Sequence, residues 1–270
     1  MKIAAAQIRC ALGDLDANLR TVRDFAALAK EAGAAVVVFP EMVDTGYAMP
    51  VIQAVASAWG EGAVPELQKV AKGLDITIVC GVSEREGSAI YNSQVVIDGS
   101  GKMLMKYRKT HLFAMAGIDE QKCFSAGSDL ASFAIGNLRF GLSICYDLRF
   151  PEVYRSMAVN HEANVLLNSS AWPFPRVEHF RTLAVARAIE NQSYMIAANR
   201  VGTDDGVVFC GTSAIIDPSG VVVASASADR EELVCAELSE ELLHSVRTRM
   251  TVFAHRRPDV YQSVAKPDQG

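Results

Sequence analysis

The sequence predicts an α/β fold built on mixed β-sheets. Two observations carry that expectation. Short apolar runs alternate with amphipathic stretches of helical spacing through the first two thirds of the chain, the arrangement of strand–helix–strand units. Turn sequences also join neighbouring strands directly, which marks antiparallel hairpins. Crossover helices alone would give a parallel sheet and hairpins alone an antiparallel one. Their combination requires mixed sheets.

The elements follow in order. Residues 3–8 form a short apolar run, read as the first strand. Residues 16–32 place Leu19, Val22, Phe25, Ala26 and Ala29 on one helical face, with Asp16 as N-cap and Gly33 closing the helix. Residues 35–39 are apolar throughout, as in a strand buried on both faces. A helical stretch over 64–72 leads to a strand over 76–82. Strands over 90–97 and 103–107 flank the hairpin turn Asp98-Gly99-Ser100-Gly101. A second hairpin turns at Gly136-Asn137. The strand over 140–144 stops at Cys145, and a helix over 151–159 and a strand over 165–168 follow. The helix over 176–192 carries the stripe Val177, Phe180, Leu183, Ala184 and Ala188. Strands over 195–198 and 213–216 come next, then the turn Asp217-Pro218-Ser219-Gly220 and a strand over 221–224. No proline- or serine-rich linker divides the chain. We therefore expect one domain over residues 1–270, with a tail from about residue 247 that is extended or packed in an interface. Phe39-Pro40-Glu41 and Ile144-Cys145-Tyr146 each stand where a strand gives way to a loop. Paired halves of one layered fold would bring those two tips together.

Composition narrows the function classes. Half of the 270 residues are hydrophobic and mean hydropathy is +0.15, enough for a sizeable core. The 26 Lys and Arg against 31 Asp and Glu leave a net charge of −5, with no basic surplus for nucleic acid or an anionic membrane. No apolar stretch approaches the roughly 18–20 residues that span a bilayer. The N-terminal run is broken by Gln7 and Arg9, unlike a secretory leader. Cys10, Cys80, Cys123, Cys145, Cys210 and Cys235 are scattered, with no Cys-x-x-Cys pair, and read as reduced thiols of a cytoplasmic protein. Glycine-rich phosphate loops and His-Glu-x-x-His motifs are missing. Neither a cofactor nor a metal is expected.

Three residues carry chemistry by their placement. Cys145 ends an apolar strand, where open α/β folds put their sites, and a thiolate is the strongest ordinary nucleophile at neutral pH. Glu41 follows Val36-Val37-Val38-Phe39-Pro40. A partly desolvated carboxylate there is suited to general-base work. Lys109 lies just past a strand in a run with Lys106, Arg108 and His111. Such a run is ordinarily a solvated face; the functional alternative is an ammonium that stabilises a thiolate and then an oxyanion.

Taken together, these segments resemble the carbon–nitrogen hydrolase (nitrilase) superfamily over essentially the whole chain. Phe39-Pro40-Glu41, Lys109-Thr110-His111-Leu112-Phe113 and Ser143-Ile144-Cys145-Tyr146-Asp147-Leu148-Arg149-Phe150-Pro151-Glu152 match its three signature segments in order. The likeness continues through Asn168-Ser169-Ser170-Ala171-Trp172-Pro173, through Ala186-Arg187-Ala188-Ile189-Glu190-Asn191-Gln192 and through Asn199-Arg200-Val201-Gly202. A second family glutamate maps onto Glu120, in a loop where Ala126 replaces a common proline. The resemblance implies a four-layer α-β-β-α sandwich that pairs into homodimers or larger even assemblies. It implies Glu41 as base, Cys145 as nucleophile, and Lys109 with the Tyr146 backbone N–H as oxyanion donors. Glu120 would orient Lys109 or the substrate nitrogen. Tyr146, Arg149, Trp172 and Tyr47 are the expected substrate contacts.

The sequence after Cys145 looks most like the amidase and ω-amidase branches. Nitrile-hydrolysing members usually carry tryptophan where Tyr146 stands, and carbamoyl-hydrolysing members differ there too. The expected substrate is a small linear carboxamide, either an aliphatic amide or the ω-amide of a dicarboxylate. Arg149 would hold the carboxylate of the latter, or else pair structurally with Asp147 or Glu152. A cysteine–histidine pair is the competing chemistry, with His111 its best-placed histidine; the alternative role of His111 is to buttress Lys109. Arg187 and Glu190, three apart on a helix, read as an ion pair. A catalytically silent binding protein is the remaining class, and the presence of acid, base and nucleophile types argues against it.

Overall fold

Two six-stranded sheets lie face to face between layers of helix. The structure, a computed structural model, describes residues 1–115 and 118–261. Its strands are β1 (Lys2–Gln7), β2 (Val36–Val38), β3 (Thr77–Glu86), β4 (Ala89–Ile97), β5 (Met103–Arg108), β6 (Ala114–Met115), β7 (Ile118–Asp119), β8 (Ser132–Ile135), β9 (Leu138–Ile144), β10 (Val165–Ser170), β11 (Tyr194–Asn199), β12 (Val201–Asp204), β13 (Val207–Cys210), β14 (Ala214–Ile216), β15 (Val222–Ser225) and β16 (Glu232–Glu237). Its helices are α1 (Leu15–Glu31), α2 (Met49–Val55), α3 (Ala63–Leu74), α4 (Pro151–Asn160), α5 (Val177–Asn191), α6 (Glu240–Arg249) and α7 (Pro258–Tyr261). Among the described residues no helix is long and apolar enough to cross a membrane.

The sheet orders are β16-β1-β2-β3-β4-β5 and β15-β14-β11-β10-β9-β8. Each has a parallel trio at its centre, β1-β2-β3 in one and β9-β10-β11 in the other. Antiparallel strands flank both trios, one on one side and two on the other. The echo between the two halves of the sequence is thus a repeated sheet plan. Strand residues alternate between two cores, because successive side chains point to opposite faces. Ile3, Ala5, Val36 and Val38 face the other sheet, whose Leu142, Ile144 and Leu167 belong to the same cluster. Ala4, Ala6, Val37 and Phe39 face outward onto Leu19, Val22, Ala26 and Ala29 of α1 and Val64, Leu67 and Val70 of α3. On the far side, Val153, Tyr154 and Met157 of α4 and Phe180, Ala184 and Ala188 of α5 cover the second sheet. The result is the expected four-layer order with two mixed sheets.

Several details differ from expectation. The cap of α1 is Asp14, whose side chain accepts from the Ala17 N–H at 2.9 Å. Asp16 stands in the first helical turn, where its charge suits the helix dipole. The strand β16 and the helices α2 and α6 lack a strong sequence signal. β16 keeps polar residues at both ends because, among the described residues, it is an edge strand paired only with β1, in register Lys2↔Glu237 to Gln7↔Glu232. The described part of the segment from residue 247, expected to be extended or packed in an interface, is mostly helical. Helix α6 continues to Arg249, a 3₁₀ turn covers Val252–His255, and α7 follows. The remainder of that tail lies outside the described residues.

One buried carboxylate ties the outer strands of the first sheet. Glu84 accepts from Arg108 Nε at 2.9 Å, Lys106 Nζ at 2.8 Å and Ser93 Oγ at 2.7 Å, and also from Trp59 Nε1. Burial alone would push its carboxyl up; the hydrogen bonds from Arg108, Lys106 and Ser93 outweigh that and lower it from 4.5 to about 2. A depressed folded-state value stabilises the fold above pH 4.5, and that contribution is lost as pH falls toward 2. Allowing for the partly exposed Lys106 and Arg108, we expect Glu84→Gln to cost roughly 2 kcal/mol at pH 7. Urea unfolding of both proteins at pH 7 and pH 3 checks this: the gap should shrink at the lower pH, and a gap equal at both would contradict it.

Candidate active site

Glu41 and Cys145 follow the central strands β2 and β9, Lys109 follows the edge strand β5, and Glu120 opens a 3₁₀ turn after β7. Glu41 follows β2 on a loop pinned to β3. The Phe39 N–H donates to Val79 O at 2.7 Å and the Gly81 N–H to Pro40 O at 3.0 Å. Gly81 has no room for a side chain, since a Cβ there would come within 2.5 Å of Pro40 O. Farther along the same loop, the Asp44 carboxylate accepts from both the N–H and the hydroxyl of Ser83. Lys109 follows β5. Its N–H donates to Asn92 O and its carbonyl accepts from the Gly127 N–H, each at 2.8 Å.

Cys145 ends β9 at φ +42°, a left-handed conformation that costs a non-glycine residue on the order of 1–3 kcal/mol. The turn aims the side chain away from the strand ladder and opens a 3₁₀ helix, Cys145–Arg149. Asp147, buried beneath it, accepts from the Ile144 N–H at 2.9 Å and Tyr107 Oη at 2.8 Å. It also accepts from the His111 N–H at 3.1 Å and lies 3.0 Å from His111 Nδ1. One carboxylate therefore fixes the cysteine turn and the lysine segment together. Arg187 clamps the turn from α5, donating through Nε and Nη2 to Leu148 O at 3.1 and 2.8 Å while Nη1 pairs with Glu190 at 2.9 Å.

Glu41, Lys109, Glu120 and Cys145 come together, and all four are buried. Lys109 Nζ donates to Glu41 Oε1 at 2.9 Å and to Glu120 Oε1 at 2.8 Å. Glu41 also accepts from Asn92 Nδ2 at 2.6 Å and from the Ala171 N–H, at the end of β10, at 2.7 Å. Glu120 also accepts from Tyr47 Oη at 2.6 Å and from the Phe113 N–H at 2.7 Å. The Cys145 thiol feels the charges of Glu41, Lys109 and Glu120. The ammonium has three protons, and the two carboxylates engage two of them.

The electrostatics follow from this crowding. Burial would push the Lys109 ammonium down, but Glu120, Glu41 and Cys145 overcome it and hold it well above the ordinary lysine range. Burial raises the Cys145 thiol well above its ordinary value; Glu41 adds to this and Lys109 opposes it. Burial also raises Glu120, against the pull of Lys109. The resting pair is thus a charged lysine beside a protonated thiol, which needs a base before it can attack.

The thiol opens into a narrow cavity lined by Tyr47, Phe113, Tyr146, Arg149, Trp172 and Arg176, among others. All four residues expected to contact substrate are therefore on its wall. The Tyr47 hydroxyl is already committed to Glu120, which leaves its ring as the surface it offers. Arg149 pairs with neither Asp147 nor Glu152. Its guanidinium stacks over Trp172, 4.8 Å from the ring centroid, and Nη2 lies 3.3 Å from His179 Nδ1. His111 is turned away to Asp147 and stacked on Phe150 at 3.7 Å, a buttress and not a partner of the thiol. Sequence reasoning missed Asn92, Arg176 and the Ala171 N–H. A usable signal existed for the first: Asn92-Ser93-Gln94 is a polar run inside a buried strand.

The fold is that of carbon–nitrogen hydrolases. The chain belongs to that family, whose profile matches residues 2–248. It is 37% identical over 261 residues to the 2-oxoglutaramate amidase of Bacillus subtilis, covering 96% of this chain and 98% of that protein. It is 32% identical to the nitrilase of Pyrococcus abyssi, over 97% and 99% of the two chains. Among solved structures it resembles the amidase from Nesterenkonia sp. AN1, in a mutant showing covalent addition of the acetamide moiety of fluoroacetamide at the active site cysteine. The TM-score is 0.87 at 27% identity, over 97% of this chain and 96% of that one. The chain is accordingly an enzyme of the class that hydrolyses non-peptide carbon–nitrogen bonds.

Proposed function

We propose that the chain is an amidase that converts a small linear carboxamide to a carboxylate and ammonia through a thioester on Cys145, with the ω-amide of a dicarboxylate as preferred substrate. One observation carries this reading. Cys145, with Glu41 and Lys109 buried behind it, opens on a cavity whose wall holds a guanidinium, Arg149, with no carboxylate partner within 4 Å among the described residues.

Glu41 takes the thiol proton as Sγ attacks the amide carbon. The remaining Lys109 proton and the Tyr146 N–H, in the first turn of the 3₁₀ helix where intrahelical partners are lacking, hold the developing oxyanion. Glu41 then returns its proton to the amide nitrogen, the C–N bond breaks, and ammonia leaves. Water attacks the thioester while Glu41 takes its proton. Collapse of that intermediate expels the sulfur, which is reprotonated, and releases the carboxylic acid. Glu120 holds Lys109 in place throughout.

The substrate preference rests on Arg149 and on the likeness to a 2-oxoglutaramate amidase. A charge-assisted bidentate contact is worth about 1.5–3 kcal/mol. Arg149→Gln should therefore raise KM for an ω-amide roughly 10- to 100-fold and leave a neutral aliphatic amide within about twofold. Equal losses on both substrates would remove the carboxylate role. Ammonia release over aliphatic amides, ω-amides, nitriles and N-carbamoyl acids tests the class itself, and selective turnover of nitriles would overturn the amidase reading.

A further inference from the structure

We infer that Asp204 is a positioning residue for this reaction: it seats Tyr47, and through Tyr47 it sets the Glu120–Lys109 pair. The inference deepens the proposed function and rests on it. Asp204 lies at the end of β12, outside the cavity wall, so it touches no substrate. Its Oδ2 accepts the backbone N–H of Tyr47 at 2.8 Å. The Tyr47 hydroxyl then donates at 2.6 Å to Glu120 Oε1, the same oxygen that receives Lys109 Nζ at 2.8 Å. Three short contacts thus join Asp204 to the ammonium beside Cys145.

The hairpin grips Tyr47 in a second way. Phe209 on β13 meets the Tyr47 ring edge-on, with centroids 6.1 Å apart. Arg200 lies over the Phe209 ring, 4.3 Å from its centroid, and forms a two-pronged pair with Asp204. Gly46 shows how closely the loop sits: a Cβ there would come within 3.2 Å of Asp204 Oδ2. A buried arginine–aspartate pair has an ordinary explanation, which is to hold a hairpin together. That explanation does not require the aspartate to spend an acceptor on the residue of the facing loop whose hydroxyl reaches Glu120.

The test is a double-mutant cycle between Asp204→Asn, whose one acceptor oxygen cannot serve both Arg200 nitrogens and the Tyr47 N–H as the carboxylate does, and Tyr47→Phe, which removes only the hydroxyl. Each single variant should lower kcat roughly tenfold with KM changed less than about twofold. Each should also move the acidic limb of kcat to higher pH, because Glu120 loses a donor to its ionised form. In the Tyr47→Phe background, Asp204→Asn should add less than about a twofold change and no further shift of that limb. Multiplying effects, or an Asp204→Asn enzyme less stable but unchanged in kcat and pH profile, would overturn the inference. If Asp204→Asn does not fold, Phe209→Leu, which loosens the Tyr47 ring and leaves the ion pair, takes its place in the cycle with the same expected result. Alkylation of Cys145 by iodoacetamide is followed in parallel. A wild-type protein that alkylates but releases no ammonia from amides contradicts the proposed substrate, and the cycle is then scored on alkylation rate.

Discussion

Cys145→Ala leaves a folded protein that releases no ammonia from amides, a fall in kcat on the order of 10⁴-fold or more. No other group among the described residues combines nucleophilic character with a place on the cavity wall beside both Glu41 and Lys109. The change removes a single sulfur from a nearly enclosed site. It should cost at most about 1–2 kcal/mol of stability, the scale of a small core truncation. Ammonia release and thermal unfolding, measured together, separate loss of chemistry from loss of fold. Residual turnover above about one per cent in a homogeneous preparation would place the nucleophile elsewhere.

Lys109→Met should affect both activity and stability. Its ammonium is the shared counter-charge of Glu41 and Glu120, and none of the three side chains is exposed. Removing one partner of a buried ion pair costs roughly 3–5 kcal/mol, because the other charge is left without compensation. The oxyanion also loses a donor, and kcat should fall by about 10²–10³-fold or more. The stability loss carries a sign. Without the lysine, burial acts unopposed on Glu120, whose folded-state value is already raised. A raised carboxyl stabilises the fold below its unfolded value and loses that contribution as pH rises through the folded one. The deficit of Lys109→Met relative to wild type should therefore be larger at pH 8 than at pH 5. Denaturant unfolding at the two values checks it, and a small, pH-independent loss would mean that the carboxylates have other partners.

Glu41, Lys109, Glu120 and Cys145 were legible because each is a chemically distinctive residue in or near an apolar frame, within segments of recognisable order. The partners that hold them were not. Asn92 reaches Glu41 across 51 residues and the Ala171 N–H across 130. Both contacts depend on how strands pair and how the two sheets stack, which local periodicity does not encode. Asp147 could be seen as part of a signature segment, but its hold on His111 required the β5 and β9 strand ends to be neighbours. Among the elements, β1, β2 and the central strands of the second sheet stood out because burial on both faces makes them uniformly apolar. The edge strand β16 and the β12–β13 hairpin, which turns at Asp205-Gly206, mix charged and apolar residues. Their positions come from tertiary pairing.

The central claim is that the acyl group rests on the sulfur of Cys145. Acid-quenched intact-mass spectrometry during turnover of a dicarboxylate ω-amide, followed by peptide mapping, addresses it directly. The account predicts a protein heavier by the substrate mass less ammonia, with the adduct on the peptide holding Cys145 and lost on treatment with hydroxylamine. An adduct on another residue, or ammonia release that persists undiminished after Cys145 has been fully alkylated, would contradict it.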